Sequence, residues 1–147
     1  MQTCPYLHFK GNCTEAFKFY AETLGGRITF AMTYGESPAA EQTSPAMRNQ
    51  IIHSRLEFGE QMILGCDAPP ERYQTPQGFN VMVAVDQPAD AERIFKALSE
   101  KGTIGMPFQE TFWAQRFGMC TDRFGIPWMV NCPKPEVAAG GAGRSGR

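Results

Sequence analysis

Apolar and polar residues alternate along TCPYLHF, Thr3 to Phe9, with the two-residue period of a half-buried strand. The period then changes. In GNCTEAFKFYAETLGG the residues Ala16, Phe17, Phe19, Tyr20 and Leu24 recur at helical spacing, Asn12 or Thr14 stands where a cap belongs, and Gly25-Gly26 ends the helix. RITFAMTY reads as the next strand. After a polar stretch, IIHSRLEF and QMILGCD read as two strands joined at Gly59-Glu60. The order is βαβββ.

Past a Pro-rich passage the succession repeats. FNVMVAVD is a strand, QPADAERIFKALSEKG a helix, and TIGMPFQETFW, QRFGMCTD and IPWMVNC are three strands, the last two flanking the turn residues Asp122-Arg123-Phe124-Gly125. Laying Phe9 on Val85 superposes Leu7 on Val83 and Pro5 on Val81, and the helices match as Ala16 with Ala91 and Tyr20 with Phe95. The same element order in two equal halves predicts a duplication. The fold class expected is α+β, two tandem βαβββ modules forming a cupped mixed sheet. Residues 1–67 form the first module, 68–77 a linker and 78–132 the second; the Gly-rich 133–147 read as a disordered tail.

Alternation also sorts faces. On the first strand Cys4, Tyr6, His8 and Lys10 share one side, and Pro5, Leu7 and Phe9 take the other. On the third strand Ile52, Ser54, Leu56 and Phe58 are expected against the helices, leaving His53, Arg55 and Glu57 with both histidines of the chain on one face. Such a face supports two readings. One is a polar pocket where His8 or His53 moves a proton and Arg55 or Arg116 grips an anionic group; the commoner one is an open sheet face meeting water or a partner subunit. Phe112, Trp113, Phe117 and Trp128 are a dense aromatic group that fits a ligand wall and, more often, a core or an interface. His8 is also the basic neighbour that could activate Cys4 as a nucleophile, although a buried inert thiol is the commoner state for Cys4 and Cys120. The polar run from Gly35 to Gln50 is long for a hairpin connection; were it a lid, Met47 and Arg48 would be the residues to meet a ligand.

Composition narrows the function classes. The formal net charge is -1 with both signs interspersed, so no basic face for nucleic acid or lipid is expected. The five cysteines are odd in number and contain no C-x-x-C pair, which points to reduced thiols in a cytoplasmic protein rather than disulfides or a zinc ribbon. No signal peptide and no apolar run of about 20 residues is present, so a soluble chain is expected.

With the duplicated βαβββ order, GNCTEAFKFYAETLGG and DRFGIPWMVN in hand, the chain resembles the vicinal oxygen chelate superfamily, which includes glyoxalase I, extradiol dioxygenases and fosfomycin-resistance proteins. Within it, PYLHFKGNCTEAFKFY and FWAQRFGMCTDRFGIPW look like the PhnB-like subgroup, often labelled demethylubiquinone methyltransferase-like. The resemblance spans roughly Thr3 to Cys132 and implies a cup that holds a divalent metal at one position on the first and last strand of each module. It also implies dimers, often with modules paired between chains. Carried onto this chain, the four positions fall on Cys4, Ile63, Asn80 and Met129. A catalytic metal needs about three ligands from His, Asp, Glu or Cys. A thiol, an aliphatic chain, a carboxamide and a thioether do not supply them, so no metal and no cofactor is expected. Nor is there a G-x-G loop between strand and helix for a methyl donor.

The reading reached is a PhnB-like protein, homodimeric, that binds a small molecule in the cup near Tyr6, His8, His53, Arg55, Glu57, Trp113 and Arg116. The alternative is a metal-dependent glyoxalase or dioxygenase with a displaced site, for instance from His8, His53 and Glu57.

Overall fold

The computed structural model describes residues 1–135; the reading of the C-terminal run as a disordered tail falls largely on 136–147, outside the described residues. The elements are β1 (Tyr6–Phe9), α1 (Cys13–Leu24), β2 (Arg27–Thr33), β3 (Ile51–Phe58), β4 (Gln61–Asp67), β5 (Val81–Ala84), α2 (Pro88–Ser99), β6 (Thr103–Gln109), β7 (Ala114–Thr121) and β8 (Pro127–Pro133). They form two four-stranded mixed sheets of one topology, β1-β4-β3-β2 and β5-β8-β7-β6, with the first strand of each parallel to the last. The two tandem βαβββ modules of an α+β fold are therefore present.

One apolar core serves both halves. Leu7, Phe9, Phe17, Tyr20 and Leu56 from the first meet Ile94, Phe95, Trp128 and Val130 from the second in a continuous cluster. The strand faces alternate as the period requires, with Leu7 and Phe9 buried and Tyr6 and His8 outward. On β3 the buried residues are Ile51, Ser54 and Leu56; Ile52, expected inside, is only half-buried, because the β2–β3 register shifts between Met32 and Thr33. The first strand is shorter than its pattern, starting at Tyr6, where pairing with Leu64 begins.

Two buried aspartates organise this arrangement. Asp67 is 1 % exposed; its Oδ1 accepts from the backbone N–H of Gly11 and Cys13, and its Oδ2 from that of Ile51, all at 2.9 Å. It therefore supplies the N-terminal cap of α1. Neither Asn12 nor Thr14 does so: Asn12 occupies the cap position with φ -118° and ψ 27°, outside the extended region that aims a capping oxygen inward. The parallel pairing of β1 with β4 sets Asp67 beside Phe9, and the acceptor arrives from there.

Asp122 joins the halves. Its Oδ1 accepts from the N–H of Phe124 and Ile126, which closes the β7–β8 turn, and its Oδ2 from Trp128 Nε1 at 2.8 Å and from the Tyr20 hydroxyl of α1. No positive charge takes part in these bonds; neutral donors alone hold a carboxylate that is 3 % exposed. The turn itself uses Gly125 at φ 91°, a left-handed conformation that glycine adopts without strain.

The Gly35–Gln50 run is not an open lid. Tyr34–Glu36, Ala40–Gln42 and Pro45–Met47 form three short 3-10 turns, Met47 is buried, and the Arg48 guanidinium donates to Ala40 O inside the loop. Tyr34 ties it down by donating to Asp67 O.

Asp122→Ala should destabilise the protein by about 3 kcal/mol or more in urea unfolding, since it strands buried donors of both halves; a loss under about 1 kcal/mol would contradict the joint. A second expectation concerns pH. Burial, and then the Asp122 charge, hold the Tyr20 hydroxyl well above its ordinary value, and burial with the same charge pushes the Cys120 thiol up to about 11. Groups raised on folding contribute fully below their unfolded values, about 8.5 for cysteine and about 10 for tyrosine, and that contribution is lost as pH climbs through the folded ones. Urea midpoints should therefore stay level up to about pH 8 and fall beyond it. A midpoint rising between pH 9 and pH 11 would reverse the sign.

Candidate functional site

The outward face of the first sheet is built row by row. In one row His8 of β1 pairs with Cys66 of β4, and the β3–β4 register that sets Ser54 on Gly65 brings His53 next, opposite Met32 of β2. The adjacent row runs Tyr6, Leu64, Arg55, Phe30. Residues opposite one another across a pleated sheet share its face, so these side chains project together.

Their contacts are specific. The Tyr6 hydroxyl and His53 Nδ1 are within hydrogen-bond distance at 3.2 Å, and the Tyr6 ring lies 5.2 Å from the His8 ring and 5.8 Å from that of His53. Cys66 Sγ stands 3.6 Å from His8 Nδ1. Burial, reinforced by Cys66, holds the Tyr6 hydroxyl above its usual value, so it keeps its proton at neutral pH. Burial, together with the neighbouring Asp67 charge, also raises the Cys66 thiol, outweighing the Tyr6 hydrogen bond that lowers it. A thiol so placed stays protonated and is a poor nucleophile at neutral pH. Further along, Arg55 Nε meets Glu57 at 3.1 Å and donates to Thr29 Oγ1, while Thr29 donates to Glu57; the guanidinium carbon sits 5.9 Å from the Phe30 ring centre. Glu57 thus offsets the Arg55 charge, and the face is polar and close to neutral. A groove of about 740 Å³ leads from Tyr6 and His8 along the linker residues Arg72, Gln74 and Gln77 to Phe79 at the start of the second module.

The remaining expected site residues lie elsewhere. Trp113 is 47 % exposed at the start of β7, its ring 5.4 Å from Phe117, and belongs to the second sheet. Arg116 is exposed and donates to Gln115 O. The aromatic group of the second half divides: Trp128 is fully buried core, Phe117 is buried under Trp113, and Phe112 is 87 % exposed. The partner of His8 is Cys66, not Cys4, because β1 pairs in parallel with β4. Cys66 and Leu64 carried no sequence signal, since QMILGCD is apolar on both faces.

Of the four positions taken from the family resemblance, Cys4 lies half-buried before β1, Asn80 donates to Trp128 O, and Met129 is on the open face of the second sheet. Ile63 is 2 % exposed, opposite Leu56 in the core. Tyr6 pairs with Leu64 as Met82 pairs with Met129, so the open-face counterpart of Met129 is Leu64, one residue beyond Ile63. A slip of one residue exchanges faces. Leu64 is no better a metal ligand. Among the described residues no three His, Cys, Asp or Glu side chains are grouped to hold a metal ion, His8, His53 and Glu57 included.

Comparison with known proteins agrees with this architecture. Protein YjdN of Escherichia coli K12 is 35% identical over 144 residues, 92% of this chain and 98% of YjdN. The crystal structure of protein PA1353 from Pseudomonas aeruginosa superposes with a TM-score of 0.84 at 42% identity, covering 92% of this chain and 99% of that one. The fosfomycin resistance protein FosX from Mesorhizobium loti, at 10% identity and a TM-score of 0.57 over 100% of this chain and 98% of its own, shares the fold alone. The sequence profile of the family described as 3-demethylubiquinone-9 3-methyltransferase matches residues 1–131. With a duplicated βαβββ architecture and that match across nearly the whole described chain, the protein belongs to this PhnB-like family of glyoxalase-fold proteins.

Proposed function

We propose that the protein binds a small molecule against the open face of the first sheet without a resident metal, as a cytoplasmic homodimer. The observation that carries this is the cluster of Tyr6, His8, His53 and Cys66, hydrogen-bonding groups around a near-neutral patch with an aromatic rim at Phe30. Convergent polar groups on a concave surface are what ligand orientation requires. Glu57 offsets the Arg55 charge, while Arg72 lines the same groove as Tyr6 and His8. The family's descriptive name does not carry over as an activity, because among the described residues no strand-to-helix glycine loop stands ready for a methyl donor.

Dimerisation has its own support. β1, β2, β5 and β6 each pair with one neighbour only, so each sheet has two free edges. Free edges of this kind are commonly covered by a second chain. The five cysteines are all free, as a reducing compartment requires. Among the described residues no helix is long and apolar enough to cross a membrane.

Calorimetric titration with Mn²⁺, Ni²⁺, Zn²⁺ and Fe²⁺ should show no tight stoichiometric binding. Tight binding lost in His8→Ala or His53→Ala would establish the metal-dependent alternative instead. The two histidines also make clean reporters: small polar aromatic fragments should move both imidazole signals in NMR spectra, and a fragment library that moves neither would refute the site. Sedimentation equilibrium should give twice the chain mass; a monomer at micromolar concentration would refute the dimer.

A further inference from the structure

The second sheet presents a different open face, and its composition follows from register. Met82 of β5 pairs with Met129 of β8, Met129 with Met119 of β7, and Met119 with Met106 of β6. Four methionines on four adjacent strands thus form one transverse row. The core side of the same strands is taken by Trp128, Val130 and Cys120, all buried, so the row faces outward; Met82 is 56 % exposed and the other three are half-buried. The next row is Ala84, Asn131, Phe117 and Gln109, and Trp113 packs edge-on over Phe117 at 5.4 Å.

Asn131 breaks the apolar character of this face. Its Oδ1 is buried and, among the described residues, has no hydrogen-bond partner. A buried acceptor without a donor is costly, and natural structures seldom leave one unexplained. Thioethers are polarisable and flexible, and sulfur contacts aromatic rings favourably, about 5 Å from the ring.

We infer that the Met82–Met129–Met119–Met106 row, bordered by Trp113 where it packs over Phe117, is a binding floor for a flat aromatic ring, and that the ring carries a hydroxyl or N–H donor directed at Asn131 Oδ1. This names a ligand class for the proposed small-molecule function and rests on that reading, but it uses residues of the other sheet. The ring lies on the thioethers, the donor completes the Asn131 acceptor, and a small residue, Ala84, leaves room beside it.

The eight methionines make the test direct. The full chain labelled with ¹³C in the methionine methyl groups is titrated with 2-naphthol, neutral at pH 7, and in parallel with 2-methoxynaphthalene, which lacks the donor. Ring-current shifts are expected at Met119 and Met129, and at Met82 and Met106, with buried Met47 unmoved. The donor should favour 2-naphthol by roughly 5- to 10-fold, the worth of one hydrogen bond. Asn131→Leu should abolish that preference while leaving binding of the methoxy compound unchanged; the comparison of the two compounds on the unaltered protein stands even if that variant fails to fold. Shifts confined to Met32 and Met62, which lie on the first sheet, would overturn this inference and leave the first-sheet site standing. No shift at any methyl up to the solubility limit would overturn it as well, while equal affinities would sink the role of Asn131.

Discussion

A buried carboxylate, hydrogen-bonded by neutral donors alone, joins the two halves of this molecule. Asp122 sits where the β7–β8 turn, the Trp128 indole and the Tyr20 hydroxyl converge, and it accepts a hydrogen bond from each. A buried charge is tolerable only when donors surround it, and here they come from both halves of the chain. The duplicated modules could have been tethered only by a linker. Instead, one carboxylate makes the turn of one half depend on the helix of the other, and the aromatic contacts of Tyr20 with Phe124 and Trp128 seal the same point.

That joint lies on the helix side of the sheets, and its position has a consequence for function. With the helices and the core on one side, each sheet turns its other face outward, and the two faces have diverged. The first carries tyrosine, histidines, a thiol and an internally neutralised arginine. The second carries methionines, exposed aromatics and an acceptor without a donor. Strands equivalent by duplication thus bear different chemistries, as Tyr6 against Met82 and Leu64 against Met129 illustrate. Both sheets also end in an unpaired strand, so each open face borders an edge able to receive another chain.

The element order was legible because its signals are local. Helical spacing from Ala16 to Leu24, the Gly-Gly stop, and the Asp122 to Gly125 turn depend on neighbours a few residues apart. Strand alternation likewise placed Tyr6, His8, His53, Arg55 and Glu57 on one face. Where alternation failed, so did the reading: Ile52 was expected inside, but a register shift gave that place to Ile51. Ile63, carried over from the family resemblance, lies in the core, one residue short of the open-face Leu64. The long polar run around Met47 and Arg48, a lid only as one possibility, is tied down, its polar residues bonding to the loop's own carbonyls.

What the chain by itself determined was the repetition of βαβββ and the face on which most polar side chains lie, since both follow from periods of two and about 3.6 residues. What only the tertiary structure decided was which residues meet across sequence distance. Asp67 caps a helix that starts 54 residues earlier, Cys66 rather than Cys4 stands by His8, and four separate methionines fall into line. Pairing register is a property of two strands at once, fixed by packing the whole sheet against its core, and no single stretch of sequence contains it.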